Sequence, residues 1–173
     1  MKFLIGIFVG VILTGAAIVC YFVFGFAPVA VADKPMPFER AVAEKAVDAH
    51  IDRQTVKDSP LAVNEANLVS GAYLYGMDCA GCHGLPGKAK GAVASAMYPP
   101  PPQFFEGHGG GGDPIGEIYW TVANGIRLSG MPSFQNILSE TELWQVSQVL
   151  ANKDALPDAA KSALASAGSD TSK

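Results

Sequence analysis

Apolar and polar positions divide the chain into four regimes. From Phe3 to Phe26 there are 24 consecutive residues without a charge, and about 20 apolar residues in helix suffice to cross a bilayer core. Residues 1–26 are therefore expected to form a single transmembrane anchor. A secretory signal is the rival, because Ala30-Val31-Ala32 resembles a small-x-small cleavage site; its apolar core, however, is usually only about 7–15 residues long, which favours a retained anchor. Residues 27–64 read as a linker. Pro28, Pro35, Pro37 and Pro60 surround a stretch in which Phe38, Val42, Ala46 and Ala49 fall at helical spacing. These side chains are mostly small, so a short, weakly amphipathic helix is expected, as a spacer or as a docking helix, with His50 solvated.

The third regime, residues 65–153, carries the pattern of a globular domain with three helices. The first covers Asn67 to Cys79 and sets Leu68, Ala72, Tyr75 and Cys79 on one face. The second opens at Asp113 as N-cap with Pro114 following, buries Ile115, Ile118, Tyr119 and Val122, and ends at Asn124-Gly125. The third has the clearest start: Ser139-Glu140-Thr141-Glu142 is a capping box, flanked by the staple pair Leu138 and Leu143, and Leu143, Val146, Val149 and Leu150 form its apolar face. No segment alternates as a strand would, so the fold class is all-α. After Asp154 the composition drifts to Ala, Ser, Asp and Lys, and residues 154–173 are expected to be a flexible C-terminal tail.

Composition narrows the chemistry. The chain has three cysteines, Cys20, Cys79 and Cys82. The last two belong to Cys79-Ala80-Gly81-Cys82-His83, the attachment signature of a c-type haem. Two thiols at this spacing reach the two vinyl groups of the porphyrin, and the adjacent imidazole is delivered to one face of the iron. A structural zinc site would need a second ligand pair, which the cysteine count withholds. A thioredoxin-like dithiol would need a βαβ context, which the pattern withholds. Cys20, within the apolar run, reads as a buried packing residue. One motif implies one covalently bound haem c.

An iron held by His83 alone would stay open to small ligands. Met131, 48 residues further on in Gly130-Met131-Pro132, is the candidate for the second axial position; a thioether there raises the potential relative to a second imidazole. Met97, before the four prolines Pro99 to Pro102, is a weaker alternative, and so is His108 beside a run of four glycines.

Gly71-x-x-x-Tyr75-x-x-x-Cys79-x-x-Cys82-His83-Gly84, followed by Gly130-Met131-Pro132 and a capped last helix, resembles the class I (monohaem) cytochrome c family, in a membrane-anchored form. The resemblance covers about 90 of the 173 residues. It implies a small all-α cytochrome c fold wrapped around one haem, in which Gly71 and Tyr75 mark a crossing with the last helix. The aromatic usually found on that helix is replaced by Val146 and Val149. It also implies that one proline among Pro99 to Pro102 orients His83, and makes Tyr119, Trp120 and Arg127 candidates to meet the haem propionates.

With both axial positions filled, the expected role is single-electron transfer between respiratory-chain or dehydrogenase partners, as a shuttle or as a haem subunit of a larger complex, and not catalysis by the chain itself. The haem domain is expected on the periplasmic, exported side of the cytoplasmic membrane, with membrane lipid and redox proteins as partners. Two rivals stand beside this reading: a haem enzyme or gas-binding protein with a displaceable methionine, and an assembly subunit with an idle haem. Nothing resembles a nucleotide-binding loop, a hydrolase elbow or a nucleic-acid face. Residues 65–153 hold seven acidic and four basic side chains, too mild a field to steer an acidic partner, so an apolar docking contact involving Leu128 or the proline run is expected.

Overall fold

The computed structural model describes residues 2–54, 58–106 and 113–170, with side chains up to Ser166. The chain divides into two compact units, Met1–Val42 and Ala43–Lys173.

The first unit is dominated by α1, Lys2–Val23, which is long and apolar enough to cross a membrane. None of its residues is buried against protein. Cys20, expected to be packed inside, is exposed for the same reason.

The second unit is helical, and among the described residues no strand occurs. Helix α3, Glu65–Asp78, begins where the Asn64 side chain accepts from the Asn67 N–H at 2.9 Å, satisfying a donor that the first turn leaves free. Its buried face, Leu68, Gly71, Ala72, Tyr75 and Gly76, follows the helical period. A single turn, α4 (Ala80–His83), and a second short one, α5 (Ala92–Ser95), follow. Helix α6 is Ile115–Asn124. It opens on Pro114 and no side chain caps it, so Asp113 does not take the N-cap position expected from the sequence. The Pro114 carbonyl already accepts the first helical bonds, from Glu117 and Ile118. Helix α7, Glu140–Ala151, has both arms of the capping box: Ser139 Oγ accepts from the Glu142 N–H, and Glu142 Oε2 accepts from the Ser139 N–H at 2.7 Å.

Helices α3 and α7 cross at Gly71. A Cβ there would strike the Gln145 carbonyl and come within 2.9 Å of Val149 Cγ2, so only glycine permits the approach. Tyr75 is fully buried nearby. Its hydroxyl donates to the Gly84 carbonyl at 2.8 Å, and its ring meets Phe105 edge-on. That burial pushes the hydroxyl far above its ordinary pKa.

Two further expectations require correction. Residues 154–170 are not a flexible tail. After a 3₁₀ turn at Lys153–Ala155, helix α8 (Asp158–Asp170) packs on α3. Leu156, Ala160 and Leu164, spaced by four, join the cluster of Leu68, Ala72 and Tyr75. Burying each leucine contributes roughly 1.5–3 kcal/mol, enough to order a helix of otherwise small residues. Second, the linker is not all spacer. Helix α2, Glu39–Gln54, buries Ile51, and Gln148 of α7 donates to the Leu61 carbonyl at 2.7 Å. His50 is exposed on α2, as expected, and its ring also meets Trp120 of α6 edge-on, with centroids 5.4 Å apart. Trp144 stacks on Tyr119 with centroids 4.0 Å apart.

Candidate haem site

The attachment motif lies where α3 gives way to α4. Cys79 ends α3 and starts α4, its carbonyl accepting from the N–H groups of Cys82 and His83 at 3.1 and 2.9 Å. One helical turn thus carries both thiols and the imidazole. Cys79 is half-buried beside both apolar clusters of the domain, and neither it nor Cys82 is in a disulfide. Burial, followed by the charges of Asp78 and Cys82, pushes the Cys79 thiol up to about 12.

The orientation of His83 is set from the proline run. Its Nδ1 lies 2.9 Å from the Pro102 carbonyl. A carbonyl can only accept, so Nδ1 carries the proton and the lone pair is left on Nε2. Phe104 stacks against the ring, with centroids 4.7 Å apart and planes 17° apart. Gln103 Nε2 ties the same segment back to the Cys82 carbonyl at 2.9 Å. Burial lowers the pKa of His83, opposed by the bond to Pro102, and so favours the neutral ring that a metal requires. The sequence left four prolines open for this role; Phe104 and Gln103 it did not single out, since only the fold brings Phe104 to the ring and Gln103 to the Cys82 carbonyl.

Met131 sits in a loop clamped to the end of α6. Gly125 ends α6 with φ +67°, and a Cβ there would lie 2.7 Å from the Pro132 carbonyl oxygen. Ser129 Oγ donates to the Ile126 carbonyl at 2.7 Å and accepts from the Met131 N–H at 3.1 Å, while the Met131 carbonyl accepts from the Ile126 N–H. Beyond it, the N–H groups of Phe134 and Gln135 bond the Val122 and Ala123 carbonyls at the helix end. Met131 is half-buried against the cluster of Val122, Phe134, Leu138 and Val146, which Cys79 also borders.

The other candidates are scattered. Met97 rests on Gly130. His108 lies outside the described residues. Tyr119 is engaged by Trp144, whose own indole N–H is buried without a partner among the described residues. Trp120 and the exposed Arg127 line an open groove with His50 and Asn124.

The donor set fits a covalent haem: two unpaired thiols at the required spacing, an imidazole held with Nε2 free, and a thioether on a braced loop. Residues 66–148 match the family model described as cytochrome c oxidase, cbb3-type, subunit III. No curated protein matches the chain, and no solved structure does. The matched stretch runs from the first turn of α3 into α7 and contains the attachment motif, the proline run and the Met131 loop. Residues 66–148 thus form an all-helical domain similar to the monohaem c-type cytochromes, a likeness that implies electron transfer.

Proposed function

We propose that the chain is a membrane-tethered cytochrome that passes single electrons between respiratory partners on the outer side of the cytoplasmic membrane. Cys79 and Cys82 hold one haem through thioether bonds, and His83 and Met131 are its axial ligands. The bound haem supplies a reversible one-electron Fe(III)/Fe(II) couple. The protein keeps that couple closed to substrate: Pro102 fixes the His83 ring, and the Ser129 and Ile126 bonds hold the Met131 backbone. Little has to move when the charge changes. The observation that carries the reading is the Nδ1 bond of His83 to Pro102, which leaves Nε2 for the metal within one turn of two free thiols.

The match to an oxidase subunit family favours a place beside a cbb3-type oxidase, as its haem subunit or as the carrier that feeds it. Helix α1 is retained as the anchor, and α2 with the segment to residue 64 begins the haem domain. The test uses membranes from a respiring host that makes the full chain with c-haem maturation. Respiratory substrate is expected to reduce its haem and oxygen to reoxidise it within seconds, with no carbon monoxide bound. Stoichiometric carbon monoxide binding would favour the haem-enzyme reading instead. A haem that no respiratory donor reduces would favour the idle one.

A further inference from the structure

The segment from Met97 to Pro102 touches the supports of both proposed axial ligands. At one end the Pro102 carbonyl accepts from His83 Nδ1 at 2.9 Å. At the other, the methyl group of Met97 already fills the place that a Cβ on Gly130 would take, and Met97 Sδ lies 3.5 Å from that place. Gly130 directly precedes Met131. Between the two ends stand Tyr98 and three consecutive prolines, Pro99 to Pro101, whose rings fix φ and leave the segment little freedom to give way. Met97 is itself half-buried. A stiff segment anchored beside His83 thus sets a side chain directly on the backbone that carries Met131.

We infer that Met97 is a positioning residue for Met131: seated on Gly130, it limits the excursions of the Gly130–Met131 peptide and keeps the thioether on the iron. The inference rests on the reading of Met131 as axial ligand. Its consequence is a population. If the loop opens more often, a competing ligand finds the iron accessible a larger fraction of the time, and its apparent affinity rises in proportion to that fraction.

The test is imidazole titration of the oxidised, haem-loaded full chain in detergent, comparing wild type, Met97→Ala, Gly130→Ala and the double variant. Met97→Ala empties the seat, and Gly130→Ala pushes the Met97 methyl out of it. Each single change is expected to tighten the apparent imidazole Kd about tenfold. The double variant is expected to return to within about twofold of wild type, because the methyl group introduced at position 130 takes the space the lost thioether methyl leaves. A general loss of packing would lower thermal stability without this mutual recovery. Met97→Leu, which keeps most of the bulk, is expected to fall between wild type and Met97→Ala, and it serves if Met97→Ala does not fold. An unchanged Kd in Met97→Ala, or a double variant no better than the singles, overturns the inference. Met131→Ala separates the two levels: if it leaves the spectrum unaltered, the ligand assignment itself fails. Loss of the sulfur-to-iron band in Met97→Ala would make Met97 the ligand and overturn both.

Discussion

Gly71 of α3 lies directly against the carbonyl of Gln145 in α7, with no room between them for a side chain. This contact fixes how closely the two helices cross, and the full burial of Tyr75, Val146 and Val149 depends on it. Gly71→Ala gains about 1 kcal/mol of helix propensity but must push backbone against backbone. A net loss of about 1–3 kcal/mol is expected, read as a lower denaturant midpoint of the haem-loaded protein. An unchanged or higher midpoint would mean that the crossing is looser than described.

Helix α8 is expected to be part of the folded domain. Leu164 is only 1% exposed and packs with Leu156, Ala160 and Leu68. Leu164→Ala should cost about 2–5 kcal/mol, whereas Ser162→Ala on the exposed side of the same helix should be near neutral. Equal stabilities for the two variants would return residues 154–170 to the status of a tail.

The capping box of α7 gives a pH dependence of defined sign. Hydrogen bonds from the Ser139 N–H and hydroxyl hold the Glu142 carboxyl below the ordinary glutamate value of 4.5. Its stabilisation is complete above that value and is lost as pH falls through the lower, folded-state value. Glu142→Ala should therefore be less stable than wild type at pH 7, with the gap closing as acid protonates the wild-type carboxylate. Ser139→Ala should cost about 1 kcal/mol. A gap that stays constant with falling pH in thermal melts would argue against an ionised Glu142 in the box.

Leu128 stands at the tip of the Met131 loop with φ +61° and 96% of its surface exposed. A leucine in this region is strained by roughly 1–2 kcal/mol, and no burial offsets the strain. Leu128→Gly should thus hold or raise stability. The same substitution, like Leu128→Glu, should slow electron transfer to the partner if the displayed side chain is a docking contact. Stopped-flow reduction with membranes as donor reads this; unchanged rates for both variants would remove Leu128 from the docking surface.

What the sequence revealed was local, and what it concealed was long-range. Cys79, Cys82 and His83 need one turn of helix, and their spacing announces it. Ser139 and Glu142 announce α7 in the same way, and Gly125 marks the end of α6. Gly71 and Tyr75 were legible only through the resemblance to class I cytochromes c, in which a small residue and an aromatic at these distances before the first cysteine mark the crossing with the last helix. Helix α8 was missed because its buried stripe is leucine, alanine, leucine, a signal too faint against a composition that otherwise suggests disorder; the spacing by four from Leu156 to Leu164 was the available clue. The choice of Pro102 among four prolines, the stacking of Phe104 on His83 and the seat of Met97 on Gly130 depend on how loops return to the helices. His50 against Trp120 is of the same kind, joining residues 70 positions apart.

The most direct measurement is the absorption spectrum of the haem-loaded chain, oxidised and reduced, for wild type and Met131→Ala. The account predicts a low-spin c-type spectrum with a sulfur-to-iron band in the oxidised wild type, and loss of that band in Met131→Ala. A wild type that is already high-spin, or a band that survives the substitution, would contradict the assignment of His83 and Met131 as the axial pair.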